Sequence, residues 1–375
     1  MPPHLALLLG AAFILYTLRN EKRRGLLAPG SLFWPTLWYM VVSTKPVGIW
    51  FSIWGLPVLG GGSDGGSTTE QVFYGSLTLI GIRILIQRRF DWASVLRANP
   101  WLTAFLAFMA VSFLWSAFPF ISFKRYIKVI GSIVMALVVL TNERPLESIL
   151  TVLRRCLYLH LPMSIICIKY FREIGVSFDW HGSSVSWQGL STSKNTLGQV
   201  AMLGAVYFAW EVRRLWTNYR WKTLNTLYLG MAIYLLKGSE DAVSLTSLMV
   251  TVFALSLFFG MHWLRRDRHG LRRFVSLAFS STLGLIGLVL IHSVVIFSEE
   301  SLFGRLITTF GRDITLTDRT YIWSDVYAAT TNPIVGIGFG AFWIDRIANI
   351  PWNASMTSVS YTHLRAHETK ANLVC

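Results

Sequence analysis

The sequence predicts an all-α polytopic membrane protein with about ten transmembrane helices in its 375 residues. Apolar residues make up 53% of the chain and charged residues only 14%, whereas ordinary soluble domains carry about 25% charged residues. The apolar residues form blocks of roughly 20, the length that a helix needs to cross the bilayer core. Helices are expected because lipid cannot hydrogen-bond to an open backbone.

The candidate spans are apolar blocks separated by polar, basic or glycine-containing segments. They cover 3–18, 31–53, 72–87, 101–118, 123–141, 156–171, 196–211, 224–237, 244–263 and 274–297. The first block has neither a basic leader nor a small-residue cleavage site, so we expect a first span and not a cleaved signal peptide.

Basic clusters recur at every second loop between these spans. They are Arg19/Lys22/Arg23/Arg24, Arg88/Arg89/Arg97, Arg144/Arg154/Arg155, Arg213/Arg214/Arg220/Lys222 and Arg265/Arg266/Arg268/Arg272/Arg273. The positive-inside rule makes these loops cytoplasmic and places the N-terminus outside. The formal net charge of +15 is therefore interpreted as a topology signal and not as a nucleic-acid surface.

The chain is predicted to have one integral domain, 1–297, followed by an outer-face loop region, 298–356, which caps it. The sequence contains no Walker A, HExxH or D-x-D motif. Nucleotide chemistry and metal dependence are therefore not expected, and we predict no cofactor and no metal site.

Cations break the topology rule at the outer end of the span 123–141. Lys124 and Lys128 are four residues apart and share a helix face, and Arg125 lies beside them. Cations at this position cost free energy if they face lipid. Two interpretations remain open: the side chains reach out to lipid phosphates, or they bind an anionic substrate at the outer leaflet.

A second outer cluster lies among glycines and threonines just beyond the last candidate span. It consists of Arg305, Arg312, Asp318, Arg319 and Trp323. The planar guanidinium fork suits bidentate contact with phosphate oxygens, which favours a phosphate-binding surface. The alternative is a set of ordinary surface charges, in which arginines pair with neighbouring aspartates.

A third outer segment, 179–198, ends in Ser-Lys-Asn at the entry to a span. Its hydroxyls, amides and tryptophans suit sugar contact, and Lys194 and Asn195 are candidate substrate-binding residues. Turns and helix caps use the same residue types, so Asn195 or Ser193 is alternatively a cap. His181 is interpreted as a loop histidine.

At these segments the sequence resembles the O-antigen ligase-related (Wzy-type) superfamily, particularly its ExoQ-like exopolysaccharide-production branch. The resemblance covers most of the chain up to about residue 355. Its motifs are WSAFPFISFKRYIKVIG (115–131), LRRCLYLHLPMSIICIKYF (153–171), WQGLSTSKNTLG (187–198), GRDITLTDRTYIWSDV (311–326) and NPIVGIGFGAFW (332–343).

The resemblance implies a GT-C-like, metal-independent glycosyltransferase in the bacterial inner membrane. Such proteins transfer a glycan from an undecaprenyl-pyrophosphate carrier to an acceptor hydroxyl at the outer face. Cations would stabilise the charge that gathers on the leaving pyrophosphate. The catalytic candidates are Arg125, Arg305, Arg312 and Arg319, and the substrate-binding candidates are Lys124, Lys128, Lys194, Asn195, Asp318 and Trp323. Expected partners are the carrier-linked oligosaccharide, membrane lipids and other polysaccharide export components, but no nucleic acid.

The chain departs from the family pattern in two places. Relatives usually read Thr-Gly-Arg-Thr where this chain has Asp318 before Arg319, which adds a carboxylate beside the arginine. Relatives also continue into an outer His-Asn element and further spans. Here the segment 357–375 is polar and is interpreted as a non-native tail on a protein truncated near residue 356. His363 and His367 lie in that tail and are not counted as catalytic.

Four functions are compatible with these features. The ExoQ-like pattern favours a surface or exopolysaccharide polymerase, and an O-antigen ligase with a lipid acceptor is the alternative in the same class. A non-catalytic assembly subunit or a flippase-type transporter is the alternative in another class. Transporters usually carry ionisable residues at mid-span and symmetric halves, whereas the ionisable residues here collect at the predicted outer boundary.

Overall fold

The computed structural model describes residues 2–23, 32–60, 67–178, 185–239, 244–264, 332 and 335–342. Within these ranges the chain is mostly helical, as the composition predicted. The candidate span 274–297 lies outside the described residues, as do most of the segments 298–356 and 357–375. The proposed division of the chain at residues 297 and 356 therefore stays a prediction.

The helices and strands follow one another along the chain with short connections. The helices are α1 (Pro3–Arg23), α2 (Phe33–Ser43), α3 (Val47–Ile53), α4 (Thr68–Gln87), α5 (Trp92–Ala98), α6 (Pro100–Val111), α7 (Pro119–Leu140), α8 (Pro145–Tyr170), α9 (Arg172–Gly175), α10 (Lys194–Arg214), α11 (Tyr219–Lys237) and α12 (Leu245–Leu264). A 3-10 turn covers Ser112–Trp115. Strands β1 (Val176–Phe178) and β2 (Val185–Trp187) pair antiparallel, with Ser177 opposite Ser186.

Local signals explain where several helices begin. The hydroxyl of Ser67 accepts a hydrogen bond from the amide of Glu70 and caps α4, and Asp91 caps α5 in the same way. Side-chain caps satisfy amides that have no partner inside the helix. Helices α6, α7 and α8 each begin with proline, which is suited to the first helical position because its missing N–H has no partner there.

Two predicted spans are interrupted in the structure. The span 31–53 breaks between α2 and α3 at residues 44–46, because Pro46 disfavours helical backbone in the residue before it. The span 101–118 corresponds to α6 and the following 3-10 turn, and α5 meets this pair at an angle of 102°. The break at 44–46 lies inside a predicted span, whereas the bend between α5 and α6 lies at Asn99, just before the predicted span 101–118.

Among the described helices, α8 alone is long and apolar enough by itself to cross a membrane. Helix α5 and the segment formed by α6 and the 3-10 turn are bent against each other. They would form a second membrane span only if both segments together are counted as a single span. Helix α7 is 22 residues long but carries its cations in the first turns. The number of about ten spans stays a prediction.

Helix α8 lies at the centre of the largest apolar cluster, between α1, α10 and α11. Three buried aromatic rings stack where these helices meet: the ring of Tyr158 lies 5.9 Å from Phe208 and 4.7 Å from Tyr228. The Tyr228 hydroxyl donates to Thr17 Oγ1 at 3.2 Å. Aromatic pairs of this kind contribute beyond the apolar area that they bury, so this stack fixes the register of α1, α8 and α11.

Helices α4 and α7 run parallel and approach closely at glycine. A Cβ atom on Gly131 would lie 2.3 Å from the Trp38 ring, and one on Gly81 would lie 2.7 Å from Val134. Trp38 is fully buried and donates its indole N–H to Ser132 Oγ at 3.2 Å. Glycine is needed at both positions because a larger side chain would separate α2, α4 and α7.

Residues from the predicted inner loops make contacts at one end of helices α4 and α7 and between α1 and α8. The Arg88 guanidinium donates to Val138 O at 2.8 Å and to Asn142 Oδ1 at 2.9 Å, which caps the C-terminus of α7. The carboxylate of Glu21 accepts from Arg154 at 2.7 Å and from Arg155 at 3.4 Å. These contacts join α4 to α7 and α1 to α8 at the basic end of each helix.

The contacts divide the described chain into two compact units. The first comprises the residues up to Val252 together with Ile337–Phe342, and it contains every site residue described below. The second comprises Phe253–Leu264 and residues 332, 335 and 336. In the second unit, the amide of Gly336 donates to the carbonyl of Asn332 at 2.9 Å.

Candidate functional site

The cations of α7 occupy the first turns of that helix, where the sequence placed them. The ammonium of Lys124 lies 4.2 Å from the ring centroid of Phe120. The ammonium of Lys128 lies 4.6 Å from the ring of Tyr74, on α4. Aromatic faces attract cations through the ring quadrupole. These contacts hold the lysines at the surface of the protein without neutralising them.

Arg125 contacts a distant part of the chain that no local pattern connects to it. Its guanidinium Nη1 donates a hydrogen bond to the carbonyl of Gly340. The adjacent residue, Phe339, donates its amide to Ser112 Oγ at 3.0 Å. The glycine segment, Ile337–Phe342, is therefore attached to both sides of the connection between α6 and α7, and it orients Arg125.

Glycine is required at two positions of the glycine segment. Gly338 has φ +99° and Gly340 has φ +68°, both in the region that side chains rarely adopt. A Cβ atom on Gly338 would lie 2.5 Å from Ser116 Cβ, and one on Gly340 would lie 2.8 Å from Arg125 Cδ. The backbone thus approaches the start of α7 more closely than any other residue type would allow.

Buried serines hold the connection that leads into α7. The hydroxyls of Ser116 and Ser122 lie 2.7 Å apart, and Ser116 Oγ also accepts from the amide of Phe118 at 3.2 Å. Ser112 donates its hydroxyl to Met109 O at 2.7 Å while it accepts from the glycine segment. Because each buried hydroxyl has a partner, the turn before Arg125 has a defined geometry.

Lys45 lies at the break between α2 and α3 and binds the third outer segment. Its ammonium donates to Gln188 Oε1 at 3.0 Å and to Ser191 O at 3.1 Å. Its backbone amide donates to Leu190 O at 2.8 Å. Hydrogen bonds from a charged donor are stronger than neutral ones, so Lys45 fixes the turn that precedes α10.

A buried histidine supports the same turn from α8. His160 is 1% exposed, and its Nδ1 lies 3.1 Å from Ser164 Oγ. Its Nε2 lies 3.3 Å from both Ser43 O and Ser191 Oγ. Both ring nitrogens are thus engaged with the protein, and His160 acts as a packing and positioning residue for the turn.

Glu70 connects the start of α4 to its neighbours. Its carboxylate accepts a hydrogen bond from the backbone amide of Gly48, at the start of α3, and interacts electrostatically with Lys128. An acidic side chain in the first turn of a helix is favoured by the helix dipole. Glu70 thereby links the break beside Lys45 to the cationic turn of α7.

Lys194 and Asn195 form the first turn of α10, beyond the segment that Lys45 holds. The hydroxyl of Ser193 accepts from the amide of Thr196 at 3.2 Å, so Ser193 is the cap and Asn195 belongs to the helix. The other predicted site residues lie outside the described residues and stay predictions: Arg305, Arg312, Asp318, Arg319 and Trp323.

Sequence reasoning missed Lys45, Glu70 and the role of the glycine segment. A signal for Lys45 was present, because a cation followed by Pro46 stood in the middle of a predicted span. The glycines at 338 and 340 were visible in a family motif, but their contact with Arg125 spans more than 200 positions of the chain. In the ranges that the structure describes, no group of three His, Cys, Asp or Glu side chains is arranged to hold a metal ion.

Replacing Gly340 by alanine is expected to lower activity because the new methyl group would displace the Arg125 side chain. Gly336→Ala is the matched control, since Gly336 has φ +65° and nothing described lies within 4 Å of its would-be Cβ. Both variants carry the backbone strain, about 1–2 kcal/mol, but only Gly340→Ala carries the clash. The measurement is the yield of the polymer that the family resemblance predicts, at equal protein abundance, and equal yields from the two variants would contradict the contact between Gly340 and Arg125.

The described part of the chain is a helical protein in which Lys128 contacts α4 and Arg125 contacts the glycine segment from the start of α7. The chain is similar in sequence to the exopolysaccharide production protein ExoQ of Rhizobium meliloti (strain 1021). The two are 29% identical over 247 residues, which are 65% of this chain and 52% of the relative. The chain thus spans about half the length of this relative.

No family model matches the chain. No solved structure matches it either. The similarity to ExoQ supports an ExoQ-like family relationship, which is the branch that the sequence motifs indicated. The relative is named as an exopolysaccharide production protein, and helix α8 is long and apolar enough to cross a membrane.

Proposed function

We propose that this protein polymerises exopolysaccharide by joining undecaprenyl-pyrophosphate-linked glycan units at the outer face of the bacterial inner membrane. The observation that carries the proposal is Arg125, a cation at the predicted outer end of α7 whose guanidinium is oriented by Gly340. A positioned cation outside the hydrocarbon core is suited to a lipid-linked pyrophosphate. The similarity to an exopolysaccharide production protein supports the same class of substrate.

The proposed reaction is a glycosyl transfer without a metal ion. The acceptor hydroxyl attacks the anomeric carbon of the carrier-linked glycan, and the bond from that carbon to the pyrophosphate oxygen breaks. The undecaprenyl pyrophosphate leaves with the electron pair, and the acceptor releases its proton to the aqueous side. Negative charge therefore grows on the pyrophosphate as the reaction proceeds, and preorganised cations lower the barrier where this charge develops.

The residues divide between charge stabilisation and substrate contact. Arg125 would bind the leaving pyrophosphate, and Lys124 and Lys128 would raise the local positive potential. The predicted arginines beyond α12 would complete the phosphate site: Arg305, Arg312 and Arg319. Lys194 and Asn195 would contact the glycan from the start of α10, which the bonds of Lys45 hold in place.

The direct test is a transfer assay with the full chain in proteoliposomes that contain undecaprenyl-pyrophosphate-linked oligosaccharide. We expect longer glycans on the carrier, with one carrier pyrophosphate released for each new glycosidic bond. Addition of EDTA should leave the rate unchanged, because the proposed step uses cationic side chains and no metal. Mass spectrometry of the lipid-linked products measures the number of units joined.

Other outcomes of the assay would identify the alternative functions. Transfer only to an added lipid A-core acceptor would make the protein a ligase. Movement of the lipid-linked glycan between leaflets without new glycosidic bonds would make it a transporter. Either result would overturn the polymerase proposal.

A further inference from the structure

A surface groove between α8 and α11 has no part in the proposed glycan chemistry. Its volume is about 680 Å³. Ile165 and Lys169 of α8 form one wall, and residues of α11 from Tyr219 to Tyr234 form the other. The groove therefore follows the axis of α11 from the predicted inner end to the predicted outer end.

The floor of the groove is apolar although threonines line it. Thr223 donates its hydroxyl to Tyr219 O at 2.9 Å, and Thr226 donates to Lys222 O at 2.8 Å. Both hydroxyls are thus satisfied within the helix and present their methyl groups. Gly230 opens the middle of the groove, since a Cβ added there would have no described atom within 4 Å.

The inner end of the groove is basic and aromatic. The ammonium of Lys222 lies 3.3 Å from the ring centroid of Trp216. Trp216 is 62% exposed and Tyr219 is 80% exposed. Exposed tryptophan and tyrosine beside a cation are typical of a membrane interface. At the outer end, Lys169 lies 5.4 Å from the ring of Tyr234 and marks the other limit.

The part of the groove between Lys222 and Gly230 fits within one leaflet. An α-helix rises about 1.5 Å per residue, so Gly230 lies about 12 Å along the axis from Lys222. Half of a typical hydrocarbon core is about 15 Å. A chain whose headgroup sits at Lys222 would therefore lie along α11 past Gly230 before it reaches the middle of the bilayer.

We propose that this groove binds an anionic phospholipid of the inner leaflet, with its headgroup at Lys222 and an acyl chain along α11 to Gly230. The positive charge of Lys222, at the predicted inner end, selects an anionic headgroup there, and the apolar floor accepts hydrocarbon. The proposal rests on the predicted membrane topology and does not depend on glycan transfer. The site is thus a lipid site separate from the cationic turn of α7.

The test is native mass spectrometry of the full chain in detergent, titrated separately with phosphatidylglycerol and with phosphatidylethanolamine. The wild-type protein should bind one phosphatidylglycerol in preference to phosphatidylethanolamine. Lys222→Gln should weaken phosphatidylglycerol binding about five-fold, as expected for the loss of one cation near a lipid surface. Lys237→Gln, at the other end of the same helix, is the control and should bind as the wild type does.

Gly230→Leu should abolish the bound lipid because its side chain would fill the groove. Gly75→Leu is the matched control, since Gly75 is also helical and also has no described atom within 4 Å of its would-be Cβ. The proposal is overturned if wild-type protein binds both lipids equally, or if Lys222→Gln and Gly230→Leu both retain lipid. It is also overturned if Gly230→Leu changes the oligomeric state without changing lipid binding, because a second copy would then cover the groove.

Discussion

Arg125→Ala is expected to reduce polymer formation at least about 100-fold while the protein remains in the membrane at normal abundance. The guanidinium is the one described catalytic candidate, and its orientation depends on the carbonyl of Gly340. Alanine removes both the charge and the oriented fork. Because preorganised charges act mainly in the transition state, the loss should appear in the maximal rate more than in substrate affinity.

The measurement is elongation of lipid-linked oligosaccharide by purified variants, compared at equal protein amounts. Arg144→Ala is the matched control, since Arg144 is exposed and its ion pair among the described residues is with Glu147, three residues further along the chain. Arg125→Lys keeps the charge but loses the planar fork, so an intermediate rate is expected. Arg319→Ala should lose activity as Arg125→Ala does. Normal polymer from both alanine variants would refute the cationic site.

Glu21→Gln is expected to destabilise the protein by about 3–5 kcal/mol, because it leaves buried guanidinium charge without a partner. The side chains of Glu21 and Arg154 are only 4% and 7% exposed, and their charged atoms lie 2.7 Å apart. Arg155 also contacts this carboxylate. The pair joins α1 to α8, so its loss should loosen the N-terminal helix from the centre of the protein.

Thermal unfolding of the purified variants measures this effect. Glu147→Gln provides the matched control, because it removes the same charge from an exposed pair with Arg144, and such pairs contribute only about 0–1 kcal/mol. The double variant Glu21→Gln/Arg154→Met should recover part of the stability, since it removes the uncompensated charge. A melting temperature for Glu21→Gln equal to that of Glu147→Gln would mean that the ion pair does not stabilise the fold.

The local pattern of apolar residues in the sequence predicted much of the secondary structure. Apolar blocks located most of the described helices, and the entry to α10 was expected at the residues where Ser193 now caps it. The break within 31–53 and the 3-10 turn within 101–118 were not expected, because apolar composition alone does not reveal where an α-helix ends or bends. A break becomes favourable only when other segments bind the released backbone groups, as Leu190 does for the amide of Lys45.

The sequence by itself determined the helical class and the recurrence of basic clusters at every second predicted loop. It also determined the cationic turn with Lys124, Arg125 and Lys128. These properties depend on composition and on spacing within one helix, which are local. Only the tertiary structure decided that Gly340 orients Arg125 and that Lys45 binds Gln188. The physical reason is that such contacts join residues far apart in the chain, and their energy depends on close approach and burial that no single segment can specify.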